Sequence, residues 1–140
     1  MRRILFATGV VAFAAALAAP ALVARQDAAA LDAAMKRNGP AFGALRKAIE
    51  ASNAAAVQEN AAVMKQVFAE TEAFFKTAGK ADAQGWAVEA RKTAEAIEAA
   101  AKAGNWDDVK ASAGAVGKFC QGCHTAYREK DAEGNYRYKG

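Results

Sequence analysis

The sequence predicts an all-α protein, an antiparallel four-helix bundle. Three observations carry that expectation. Hydrophobic residues make up 54% of the 140 positions, and much of that share is alanine, the strongest helix former. The chain has two prolines, Pro20 and Pro40, both in its first 40 residues. After the N-terminal stretch, apolar residues recur at helical spacing in four segments of about 20 residues with short breaks between them. A chain of this length matches one domain.

The N-terminus reads as a secretory leader. Arg2 and Arg3 form a basic start, an apolar run from Ile4 to Ala19 follows, and Pro20 closes it. Cleavage would follow Ala21 or Ala24, where small residues precede the bond. An uncleaved anchor is the alternative, since Ile4–Ala24 approaches spanning length. No later apolar run is long enough to span a bilayer, so stable membrane insertion is not expected after leader removal.

The first helix is expected from about Asp27 to Ala51, with Leu31, Met35, Phe42, Leu45 and Ile49 on one stripe. Gly39 and Pro40 fall in its middle. Proline there removes one backbone hydrogen bond and should kink the helix or split it. The second helix is expected from a cap at Ser52 or Asn53 to about Thr77, with Val57, Ala61, Met64, Phe68 and Phe75 inward and Gly79 as its stop. The third runs from about Ala81, with Asp82 as N-cap, to Ala103 and Gly104. Its stripe is Trp86, Ala90, Thr93, Ile97 and Ala100. The fourth starts at Asn105, places Asp107 and Asp108 at the positive end of the helix dipole, and continues through Val109, Ala113 and Val116 to about Lys130. The remaining tail is polar, with a turn at Gly134-Asn135. Alanine-rich stripes bury little area, so a large apolar cofactor would complete the core.

Net charge is +4. Losing Arg2 and Arg3 with the leader leaves 17 basic against 15 acidic residues. That balance, with no block of like charges, argues against a nucleic-acid partner.

The chemistry gathers in one place. The only histidine and both cysteines form Cys120-Gln121-Gly122-Cys123-His124. C-x-x-C-H is the attachment sequence for a c-type haem. Both thiols add across the haem vinyl groups, and the next imidazole binds the iron. On a helix these three side chains share one face, because they stand at i, i+3 and i+4. A thioredoxin-like dithiol would need a βαβ setting. A disulfide would close a very small loop and contribute little. A zinc site would need a fourth ligand.

With no second histidine, the distal iron ligand is a methionine or is absent. Met35 is favoured, since Gly39 and Gly43 follow on its face and would let a flat ring approach the backbone. Met64 lies in a packing stripe, and an open distal site is the third option.

With these residues in place, the chain resembles the class II c-type cytochromes, the cytochrome c-prime family. The haem motif stands near the C-terminus and continues as Thr125-Ala126-Tyr127-Arg128-Glu129-Lys130. Met35-Lys36-Arg37-Asn38-Gly39 is similar to the family's first-helix motif, and Trp86 to a tryptophan that opens its third helix. The likeness covers nearly the whole mature chain. It implies a four-helix bundle with one covalent haem c. It also implies His124 as proximal ligand, Met35 as distal ligand in the manner of the low-spin cytochrome c-556 group, and Arg128 near the propionates. High-spin members often carry an arginine one turn before the distal position, where this chain has Leu31. Tyr127 and Phe119 are expected beside the haem, and Trp86 and Trp106 as core and helix-junction residues.

The expected organisation is a cleaved leader over residues 1–24 and a four-helix haem domain over residues 25–140. The expected function is one-electron transfer in the periplasm, without catalysis by the chain itself. Its partners would be periplasmic or membrane-bound redox proteins, and it would be a monomer or homodimer. The alternatives are a five-coordinate protein that binds nitric oxide or carbon monoxide, and a colourless helical domain with a disulfide.

Overall fold

The computed structural model describes residues 18–140, with side chains from Ala28 onward. Arg2, Arg3 and the apolar run of residues 4–17 lie outside the described residues. Four helices follow in order: α1 Ala18–Glu50, α2 Ala54–Thr77, α3 Ala81–Ala103 and α4 Trp106–Tyr127. Two short strands, β1 Arg128–Lys130 and β2 Tyr136–Tyr138, complete the chain. Links of two or three residues fold each helix back on its predecessor, the arrangement of an up-and-down bundle. α2 packs broadly on both α1 and α3, and α3 on α4. α1 and α4 meet only sparsely, so one seam of the bundle is held far less than the other three.

The helices interlock on a seven-residue rhythm. Buried positions in α2 are Val57, Ala61, Met64, Phe68, Thr71 and Phe75, with Val67 beside them. In α3 they are Ala83, Ala87, Ala90, Ala94, Ile97 and Ala101. Steps of alternating four and three keep one seam facing the neighbouring helix along its full length. The α3 stripe is therefore turned slightly from expectation. Trp86, Thr93 and Ala100 are half-buried flanks, and five alanines form the seam itself. Half of the buried apolar side chains among the described residues are alanines, which confirms the low-volume core the sequence implies.

Most helix boundaries follow local chemistry. Asn53 caps α2, its side-chain oxygen accepting from the Ala56 amide at 3.1 Å. Its neighbour Ser52 takes the left-handed turn conformation instead. Asn105 caps α4 by accepting from the Asp108 amide. Gly79 and Gly104 carry φ of +68° and +73°, where a side chain would be strained.

Four expectations are corrected. α1 begins well before Asp27, so Ala21 and Ala24 lie within its first turns. It is not split at Pro40. Pro40 and Lys36 are both exposed, so the carbonyl deprived of its usual donor has water within reach. Asp82 does not cap α3; Lys80 holds that position without a side-chain bond. α4 ends at Tyr127, and Arg128–Lys130 leave the helix to pair antiparallel with Tyr136–Tyr138. The turn between them is the one expected at Gly134-Asn135. The Asp131 carboxylate accepts from the Asn135 amide at 2.7 Å, and Gly134 has φ of +84°.

An aromatic cluster fastens this hairpin to the bundle. Tyr138 meets Phe74 edge-on with ring centroids 5.0 Å apart and stacks on Tyr127 at 6.3 Å. Phe75 lies beneath, 5.4 Å from Tyr127. The Lys139 amide also donates to the Tyr127 carbonyl.

Candidate functional site

On α4 the core rhythm runs through Val109, Ala113, Val116, Cys120 and Cys123, in the same alternation of four and three. Both cysteines thus occupy inward positions, and His124 is carried beside them. All three are half-buried. The two thiols are free.

These side chains line one pocket, which draws on all four helices. α4 supplies Phe119, Cys120, Cys123 and His124. α3 supplies Trp86, Ala87 and Ala90, α2 supplies Phe68 and Thr71, and α1 supplies Met35 and Asn38. The space between the walls that water can enter is about 30 Å³, far less than a porphyrin fills. A ring the size of a porphyrin would enter only by parting the walls. The sparsely packed α1–α4 seam is where the bundle resists that least.

The lining is mainly apolar. Thr71 is satisfied, since its hydroxyl donates to the Val67 carbonyl at 2.8 Å. Asn38 is not. Its Oδ1 is buried without a hydrogen-bond partner, the one such side-chain atom among the described residues. Native proteins rarely leave a buried acceptor unpaired.

Electrostatics keeps the sulfur and nitrogen groups neutral. Burial raises the Cys120 thiol pKa. Burial, reinforced by the neighbouring Cys120 and Asp82, pushes the Cys123 thiol up to about 11. A thiol held protonated is a poor nucleophile, which counts against a dithiol exchange site. Burial first, and the Arg128 charge second, hold His124 below its ordinary pKa. It is therefore neutral at pH 7, the form that ligates metals. Among the described residues, no three His, Cys, Asp or Glu side chains converge to hold a metal ion by themselves.

The sequence-derived candidates divide as follows. Cys120, Cys123, His124 and Met35 come together in the pocket. Phe119 and Trp86 join them. Trp86 lies against the motif itself, since a Cβ on Gly122 would stand 3.2 Å from its ring. A side chain there would push the indole outward by a few tenths of an ångström. Met64 is wholly buried in the core and does not line the pocket. Gly39 and Gly43 are exposed with open space beside them, so the chain's own packing does not require glycine at either. Arg128 is exposed and lies over the Tyr136 ring at 4.1 Å, outside the lining. Tyr127 turns away into the aromatic cluster. Phe68 and Ala90, expected as core residues, line it too, and Asn38, Thr71 and Ala87 complete the lining without having been singled out from sequence. Asn38 was the most legible of these, as a polar residue three positions after Met35 on an otherwise apolar stripe.

The Tyr127 hydroxyl donates to Asp82 at 2.8 Å, which ties the end of α4 to the start of α3. This bond is the main reason the Asp82 pKa is lowered. A lowered carboxylate contributes stability that is present above its ordinary pKa of 3.8 and lost as pH falls through the folded-state value. Tyr127→Phe is expected to remove that component. In acid unfolding followed by circular dichroism, the variant's stability should vary less with pH below 4 than the parent's. Parallel curves would show that the bond contributes nothing. Comparison with models of known protein families and with curated proteins finds no match to this chain.

Proposed function

We propose that the protein is a one-electron carrier that holds a single haem c. Thioether bonds would join the haem to Cys120 and Cys123, and His124 and Met35 would ligate its iron. The observation that supports this reading most is the meeting of Met35 with Cys120, Cys123 and His124 in one pocket. Residues 85 or more positions apart in sequence bring together two thiols, a neutral imidazole and a thioether. That donor set suits a covalently held, low-spin haem iron.

When bound, the haem supplies the ferric–ferrous couple. The chain's own residues do the rest. Cys120 and Cys123 would anchor the haem, and His124 on α4 and Met35 on α1 would hold its iron. Phe68, Phe119 and Trp86 exclude water. Thioether ligation and burial both favour the reduced state. The chain would carry the electron between periplasmic or membrane-bound redox proteins through a small transient interface and catalyse nothing itself. The leader expected at residues 1–24 fits this reading, because bacterial haem attachment to such motifs takes place outside the cytoplasm. Among the described residues no helix is long and apolar enough to cross a membrane.

An optical spectrum of the exported protein tests this, taken in both oxidation states with and without carbon monoxide. The expected result is a low-spin spectrum, with a methionine-to-iron band when oxidised and no response to carbon monoxide. A high-spin spectrum that shifts with carbon monoxide would replace the carrier with a gas-binding function. A colourless protein would sink the haem assignment.

A further inference from the structure

Asn38 is out of place in two respects. On α1 the inward positions run Ala34, Asn38, Ala41, Leu45 and Ala48, and Asn38 alone among them is polar. Its Oδ1 is also buried without a partner, in the lining that holds Met35 one turn earlier. An orphan carbonyl in an apolar wall is unfavourable for the fold alone. It gains a purpose if charge develops in front of it.

We propose that Asn38 sets the reduction potential of the centre, an inference that rests on the haem reading above. When the iron gives its electron to a partner, the centre gains one positive charge. The negative end of the Asn38 carbonyl dipole, held in a low-dielectric wall, stabilises that oxidised state. It opposes the Met35 thioether and the apolar lining, which both favour the reduced state. The potential therefore lies below what ligation and burial alone would give. A polar asparagine on an inward stripe has another use, the fixing of helix register. That role would affect stability and leave the potential unmoved.

The test is a redox titration of the exported, haem-loaded protein with Asn38→Leu and Asn38→Asp at pH 8, together with their thermal midpoints. Asn38→Leu is expected to shift the ferrous-to-ferric ratio at fixed poise roughly threefold to tenfold toward ferrous, a tenfold shift being about 59 mV for one electron. Its thermal midpoint should hold or rise, because the orphan acceptor is gone. Asn38→Asp should shift the ratio toward ferric. An unchanged potential in Asn38→Leu with a lowered thermal midpoint would overturn the proposal in favour of register. If the leucine variant does not fold, the nearly isosteric aspartate variant decides, and absence of a ferric shift overturns the proposal. A parent protein without haem absorption would fail the haem reading itself, and is distinguished by its lack of colour before any variant is titrated.

Discussion

Met35→Ala is expected to give a folded, coloured protein whose iron has changed spin state. Cys120 and Cys123 would still hold the haem, and His124 would still bind from α4, so colour and proximal ligation survive. What goes is the α1 thioether. The ferric spectrum should turn high-spin, the methionine-to-iron band should vanish, and carbon monoxide should bind the ferrous form. The reduction potential should fall, since thioether ligation favours the ferrous state. Met35 is only half-buried, so its truncation should cost the fold about 1–2 kcal/mol, below the range for a wholly buried methionine. Absorption spectra with and without carbon monoxide, beside a denaturant titration, separate the two effects. A low-spin spectrum unchanged in the variant would remove Met35 from the iron. The fully buried Met64 offers the contrast: its loss should lower stability and leave the spectrum alone.

Phe75→Ala is expected to be the most damaging single truncation at the site's end of the bundle. The ring is 1% exposed and has Phe74, Tyr127 and Tyr138 around it at centroid distances of 5.1, 5.4 and 6.0 Å. Truncating a buried phenylalanine costs about 3–5 kcal/mol through lost burial and the cavity left behind. That is a large part of the 5–15 kcal/mol by which domains of this size are typically stable. The hairpin should loosen with it, because Tyr138 packs on this ring as well as on Phe74. Urea unfolding measures the loss, and proteolysis at the Asp131–Asn135 turn reports the hairpin. A loss under about 1 kcal/mol would show that the aromatic cluster does not anchor that end.

The fold was legible wherever a boundary depends on neighbours in sequence. Asn53, Gly79, Gly104 and Asn105 act over one turn of helix, and each stands where its local chemistry put it. Asp82 was misread because α3 begins at Ala81, which puts Asp82 in the first turn, and because its partner Tyr127 lies 45 residues away. The end of α4 was misread for a related reason. Arg128–Lys130 have no alternating apolar pattern, and the strand exists because Tyr138 docks on Phe74 and Phe75. Pro40 breaks a hydrogen bond but faces water, so the packing of Ala34 before it and of Ala41 and Leu45 after it carries the helix through. The Cys120–His124 motif was legible from spacing alone. Met35 was favoured by elimination and by the glycines that follow it, with the resemblance in agreement, and it lines one pocket with Cys120, Cys123 and His124. The role of Asn38 was hidden, since nothing in a sequence marks a carbonyl as lacking a donor.

The uneven closure of the bundle has a consequence for how the chain explores its own shape. α2 and α3 are joined along a full seam, the larger side chains of α2 against the alanines of α3, so their amides open only when most of the structure does. α1 and α4 each lean on that pair from one side and touch each other little. Openings of least cost therefore separate the outer two helices while the inner hairpin persists. Contacts are mostly between consecutive helices, so such openings reverse quickly, without long-range searching. The residues assembled at the candidate site sit on both sides of the hinge this creates. A group bonded to α4 and gripped by α1 would act as a clasp across it, converting the most yielding part of the molecule into one of its firmest.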